Sequence, residues 1–165
     1  MPVVDPTPAV RLLVSRGETV AVAESLTGGL LAATIVEVPG VSAVFRGGLV
    51  VYATDLKASL AGVDERLLAT RGAVDPDVAV ALAEGARRVC RADWGVSTTG
   101  VAGPDPQDGK PVGLVYVAVV GPAQRRVDEL RFDGDRAAVR AGAVSHALES
   151  LVALLRSPTA NSSGS

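Results

Sequence analysis

The sequence predicts an α/β fold, a three-layer α/β/α sandwich built on a mixed five-stranded sheet. Three observations carry this expectation. The chain is 48% hydrophobic but only 3% aromatic, so its core is made of Ala, Val and Leu, side chains with which helices pack closely on a Val-rich sheet. Short Val- and Ala-rich runs alternate with longer stretches of helical apolar spacing. The last two apolar runs are separated only by a turn at Gly121-Pro122, which makes them an antiparallel hairpin. A chain of 165 residues fits one domain, assigned to 1–156, whose core needs neither disulfide nor metal. Residues 157–165 are small and polar and are expected to form a disordered tail.

The elements follow in order. Thr7-Pro8 opens a helix through Val14 that Gly17 stops. Thr19 to Glu24 is a short Val/Ala run, hence a buried strand. After a polar turn, Leu30 to Val38 reads as a helix that ends before Pro39-Gly40. Gly47 to Ala53 is the second strand, and Thr54 or Asp55 is expected to cap a short helix carrying Lys57. Asp64 to Arg71 is a further helix closed by Gly72. Asp75-Pro76 is an N-cap and first-turn pair for a helix through Arg91. Trp94 to Thr99 is the third strand, followed by a long Gly/Pro loop from Gly100 to Pro111. Gly113 to Val120 and Arg126 to Phe132 make the hairpin, and Asp133 or Asp135 caps a last helix through Leu155.

Composition removes several classes of function. The formal charge is −2 and no basic run stands out, so nucleic acid is not an expected partner. No eighteen-residue apolar stretch and no charged-then-apolar leader pattern occurs, so neither a membrane span nor a signal peptide is expected. The single cysteine, Cys90, cannot form an intrachain disulfide, which permits a cytoplasmic location. No His/Cys/Asp/Glu cluster has metal-ligand spacing, so no metal is expected. The run Gly103 to Lys110 fails as a P-loop: its glycines are too far apart, and Pro111 replaces the Ser/Thr that holds magnesium.

The chemistry is expected in three loops that follow strands: Glu24 to Gly29, Tyr52 to Lys57, and Thr98 to Pro104. Ligands in open α/β sheets collect at the carboxyl ends of strands. Ser25 stands between a buried strand and a helix start, beside backbone N–H groups of Thr27, Gly28 and Gly29 suited to an anion. Ser25 or Thr27 serves equally well as a simple helix cap. A hydroxyl nucleophile needs a base, and the one His, His146, lies deep in the last helix. Arg stays protonated, so Lys57 is the leading base by elimination; a solvated surface lysine is the alternative. Glu24 and Asp55 are placed to orient a lysine or ligand hydroxyls. Gly100 and Gly103 allow close approach of a ligand, and Arg136 and Arg140 share a helix face that suits a phosphate or plain solvation.

The run Ala23-Glu24-Ser25-Leu26-Thr27-Gly28-Gly29 resembles the A-E-S-x-T-G-G signature of the CinA C-terminal domain family. Phe45-Arg46-Gly47-Gly48, Val51-Tyr52-x4-Lys57, Gly72-Ala73-Val74, Thr99-Gly100-Val101-Ala102-Gly103-Pro104, Lys110-Pro111-Val112-Gly113 and Gly134-Asp135-Arg136-x3-Arg140 fit the same family in order, over about residues 8–155. The resemblance implies hydrolysis of nicotinamide mononucleotide to nicotinic acid mononucleotide and ammonia, without metal or cofactor; the alternatives are a non-catalytic nucleotide- or partner-binding module of the same fold and an amidase for another small carboxamide. It implies Ser25 as nucleophile, Lys57 as base and Tyr52 as assistant. Substrate contacts are expected from Glu24, Thr27, Gly28, Gly29, Thr99, Gly100, Ala102, Gly103, Arg136 and Arg140. It further implies a homodimer or larger homo-oligomer and, because family members with two domains carry a preceding nucleotide-binding domain, a stand-alone form here. Two features depart from the pattern: Thr99 stands where a Ser is often found, and the loop reads Asp-Pro-Gln-Asp-Gly in place of a denser glycine run.

Overall fold

A computed structural model describes residues 3–157; apart from Ser157, the expected tail lies outside the described residues. The element order is α1 (Thr7–Arg16), β1 (Val20–Glu24), α2 (Leu30–Ile35), a 3-10 turn (Val41–Ala43), β2 (Phe45–Val50), α3 (Thr54–Ser59), α4 (Glu65–Arg71), α5 (Pro76–Cys90), β3 (Trp94–Gly100), β4 (Leu114–Val120), β5 (Arg125–Arg131) and α6 (Arg136–Arg156). The sheet runs β2-β1-β3-β4-β5. Strand β1 is parallel to β2 and β3, while β3, β4 and β5 are successively antiparallel. The mixed five-stranded sheet and its C-terminal hairpin are therefore as expected.

Alternation along the strands divides the core into two layers. Val20 and Val22 of β1 and Val115, Val117 and Val119 of β4 face α1, α2 and α6. Ala21 and Ala23 of β1 face α5, as do Tyr116, Ala118 and Val120 of β4. Helices thus cover both faces, so the central strands read as continuous apolar runs. On the α5 side the contact is between small residues: an ideal Cβ on Gly95 would lie 2.0 Å from the Ala83 carbonyl oxygen. This close approach is the structural use of a sequence rich in Ala and Gly. Trp94 opens β3 in the other layer, buried, with the Arg16 guanidinium 5.9 Å above its ring.

Helix α6 is the one described helix long and apolar enough to cross a bilayer by length and composition. Its apolar face is covered by β4, β3 and α1, so a core position accounts for its hydropathy. The caps of the longer helices follow the sequence: Asp75 accepts from Asp77 and Val78 at the start of α5, and Asp135, not Asp133, accepts from Ala138 at the start of α6. Most boundaries shift by one or two residues, and three differences are larger or bear on the site. Helix α2 ends at Ile35, where turns ahead of Pro39 take over. Strand β2 ends at Val50, because the chain then turns back toward α3. Neither Thr54 nor Asp55 caps α3; its cap position is Ala53, whose methyl group offers no hydrogen-bond acceptor.

Gly95→Ala is expected to destabilise the fold by about 2 kcal/mol through overpacking of α5 against β3, measured by urea unfolding with an unchanged m-value.

Candidate active site

Because β1, β2 and β3 are parallel, their carboxyl ends lie at one edge of the sheet, and the three loops meet there. A cavity of about 260 Å³ opens between them, lined by Ser25, Tyr52, Val74, Thr99 to Gln107 and Arg136, among others. Ser25 sits one residue beyond β1 with its backbone still tied to the sheet: its N–H donates to Thr98 O at 3.0 Å, and Val51 N–H donates to Glu24 O at 2.9 Å. The nucleophile candidate is therefore held at the end of a buried interior strand.

Lys57 comes from α3 and is 1% exposed. Its Nζ lies 3.0 Å from Ser25 Oγ, 2.7 Å from Val51 O and 3.1 Å from Tyr52 O. No carboxylate among the described residues forms an ion pair with it. Burial without a counter-charge disfavours the ammonium form and lowers the Lys57 pKa from 10.5 to about 8. The contacts suit both protonation states. As an ammonium, Nζ donates to two carbonyls and to Ser25 Oγ. As an amine, it keeps the two donations and turns its lone pair to the Ser25 hydroxyl. His146 offers no rival, since its Nε2 pairs with Asp128 of β5 at 2.8 Å, at the far edge of the sheet from β2.

The turn after Ser25 needs both glycines, because Gly28 (φ +57°) and Gly29 (φ +104°) are left-handed in succession. Its polar groups are arranged differently from expectation. The Thr27 hydroxyl does not cap α2; it donates to Glu24 Oε1 at 2.6 Å and pairs with Thr98 Oγ1 at 2.8 Å. The cap is the Glu24 carboxylate, which accepts from Leu31 N–H at 2.8 Å and Ala32 N–H at 3.0 Å. Glu24 and Thr27 are fully buried and their oxygens are engaged inside the protein, so they shape the turn without facing the cavity. Gly28 N–H is likewise engaged, with Ser25 O at 3.0 Å, and neither Gly28 nor Gly29 lines the cavity.

Arg136 and Arg140 of α6 diverge. Arg140 reaches under the nucleophile turn and donates to Leu26 O at 3.0 Å and Thr27 O at 3.1 Å. Arg136 lines the cavity and donates to Gly103 O at 2.7 Å and to the Tyr52 hydroxyl at 3.0 Å. Thr99 Oγ1 donates to Ala73 O at 2.7 Å, which ties the end of β3 to the Gly72–Val74 loop and brings Ala73 and Val74 into the wall. Leu26, Ala73, Val74, Asp105 and Gln107 were not singled out as contacts from sequence; for Ala73 and Val74 the signal was their place in a family block.

Between pH 8 and 10.5 the unfolded chain retains the Lys57 proton that the native protein has lost, so stability rises with pH across that window. Wild type is expected to gain about 2–3 kcal/mol over Lys57→Met between these limits, read by urea unfolding of both proteins at pH 7.5 and 10.5. Glu24→Ala removes the α2 cap and leaves buried donors unpaired, with an expected loss of about 3 kcal/mol in the same assay.

Comparison with known proteins places these features in one family. The CinA C-terminal domain model matches residues 7–155. A CinA-like protein of Frankia casuarinae is 53% identical over 138 residues, 84% of this chain and 32% of that protein. A CinA-like protein of Anaeromyxobacter is 49% identical over 154 residues, 92% of this chain and 37% of that protein. The chain thus spans about a third of the length of these curated relatives. Among solved structures, a competence-damaged protein (CinA) superfamily protein of Klebsiella pneumoniae superposes with a TM-score of 0.88 at 32% identity, over 91% of this chain and 94% of the other. The competence/damage inducible protein CihA of Agrobacterium tumefaciens does so with a TM-score of 0.85 at 37% identity, over 93% and 98%. With its fold, its ordered sequence blocks and its matched length in agreement, the chain belongs to the CinA C-terminal domain family.

Proposed function

We propose that the protein is an amidase that hydrolyses the carboxamide of nicotinamide mononucleotide, giving nicotinic acid mononucleotide and ammonia. The observation that carries this reading is the 3.0 Å contact between Ser25 Oγ and a buried Lys57 that has no acidic partner among the described residues. A hydroxyl and an amine in that relation form a nucleophile and its base.

Neutral Lys57 takes the Ser25 proton as Oγ adds to the carboxamide carbon. The oxyanion is met by backbone N–H groups on the cavity wall. Those of Ser25 and Val101 are engaged within the chain; among the other wall residues, Leu26, Ala102 and Gly103 are the donors assigned on this reading. Collapse breaks the C–N bond, and the Lys57 ammonium returns its proton to the departing nitrogen, releasing ammonia. Lys57 then deprotonates a water that attacks the acyl carbon, and Ser25 Oγ leaves with that proton. The pyridinium charge activates the carboxamide and opposes a second positive charge on Lys57. On this reading the protein acts on a soluble nucleotide in the cytoplasm, needs no cofactor, engages neither nucleic acid nor membrane, and works as a homodimer or larger homo-oligomer.

Ammonia release from nicotinamide mononucleotide tests the reading. Ser25→Ala and Lys57→Ala are each expected to lose at least about 10³-fold in kcat/KM; full activity in Ser25→Ala would end the serine mechanism. The wild-type kcat/KM is expected to rise about tenfold per pH unit below pH 8 and to level off above it, as Lys57 loses its proton. The inflection in kcat should fall below that in kcat/KM, because bound pyridinium helps expel the proton.

A further inference from the structure

Tyr52 joins two parts of the site through different atoms. Its carbonyl accepts from Lys57 Nζ at 3.1 Å, while its hydroxyl accepts from Arg136 Nη2 at 3.0 Å. Arg136 Nη1 donates to Gly103 O at 2.7 Å. The guanidinium is therefore held from two sides, by the connection after β2 and by the loop after β3, and it lines the same cavity as Ser25. Both acceptors are uncharged. Asp105 shares the cavity wall, yet no carboxylate among the described residues forms an ion pair with Arg136. Arg136 thus keeps its full charge, its Nε–H and one N–H on each terminal nitrogen for a ligand. A planar fork with these donors matches the oxygens of a phosphate monoester.

We infer that Arg136 is the anion anchor of the site and that Tyr52 is a positioning residue for it, its hydroxyl holding the guanidinium instead of carrying a proton for Ser25 and Lys57. The choice of a phosphorylated carboxamide as substrate rests on the amidase reading above; the role of Tyr52 rests on the hydrogen bonds. The hydroxyl accepts from a cation that is already committed to Gly103, which makes it a brace. Without it, Arg136 is fixed on one side only and must be ordered when the phosphate arrives, at a loss of affinity.

The test compares wild type, Tyr52→Phe and Arg136→Gln on nicotinamide mononucleotide and on its unphosphorylated riboside, with the affinity for ribose 5-phosphate measured separately by calorimetry. Tyr52 is 58% exposed and Phe keeps the ring, so the fold is preserved. Tyr52→Phe is expected to raise KM for the mononucleotide about tenfold while kcat moves less than twofold. KM for the riboside should change little, and ribose 5-phosphate should bind about tenfold more weakly. Arg136→Gln is expected to weaken ribose 5-phosphate about a hundredfold and to abolish the preference for the mononucleotide. A fall in kcat on both substrates in Tyr52→Phe, with ribose 5-phosphate affinity intact, would overturn the inference and return Tyr52 to proton transfer. If wild type releases ammonia from neither substrate, the amidase reading falls; calorimetry still decides this inference, since equal ribose 5-phosphate affinity in wild type and Tyr52→Phe overturns it.

Discussion

The buried amine of Lys57 is the interaction on which the site depends. A lysine sealed from water without a carboxylate is unfavourable as a cation, and the fold answers with main-chain acceptors alone. The carbonyls of Val51 and Tyr52, exposed as the chain leaves β2, take two of its hydrogens, and the third direction is left to Ser25. That direction serves as donor or acceptor according to the proton, so the same geometry suits both protonation states of the amine. A carboxylate in place of either carbonyl would hold the proton on the amine.

The layer of α1, α2 and α6 supports this arrangement from behind. Glu24, at the end of β1, caps α2 through a buried carboxylate, and Arg140 holds two carbonyls of the intervening turn. One helical turn away, Arg136 reaches the opposite rim. The first turns of α6 therefore reference the turn after Ser25 and the loop after β3 to a single element, which itself packs on β3 and β4. Such preorganisation keeps a short hydrogen-bond geometry from drifting when loops move.

What the sequence made legible was local or periodic. The Val/Ala runs, the Gly121-Pro122 turn and the Asp75-Pro76 cap specify their elements through neighbours in the chain, and the scarcity of His and Lys singled out Lys57. The roles of Glu24 and Thr27 were not legible. The partners of Glu24 are helix N–H groups seven and eight residues on, beyond any local capping pattern, so a carboxylate beside a nucleophile read as a ligand contact. The arginines misled in another way. Positions four apart share a helix face, but long side chains leaving that face reached different loops, which only the placement of those loops decides. Lys57 could be nominated by elimination, whereas its burial against carbonyls of its own preceding connection depends on how α3 folds back over β2.

Trp94 gives this architecture a spectroscopic consequence. It is the only tryptophan and lies buried at the amino end of β3, with an indole N–H that has no protein partner. The cavity is at the carboxyl end of the same strand, roughly 15–20 Å away for an extended run of this length. Indole emission therefore follows the integrity of the α1–α6 layer and is insensitive to what occupies the cavity. Folding can thus be followed from a chromophore that stands apart from the cavity.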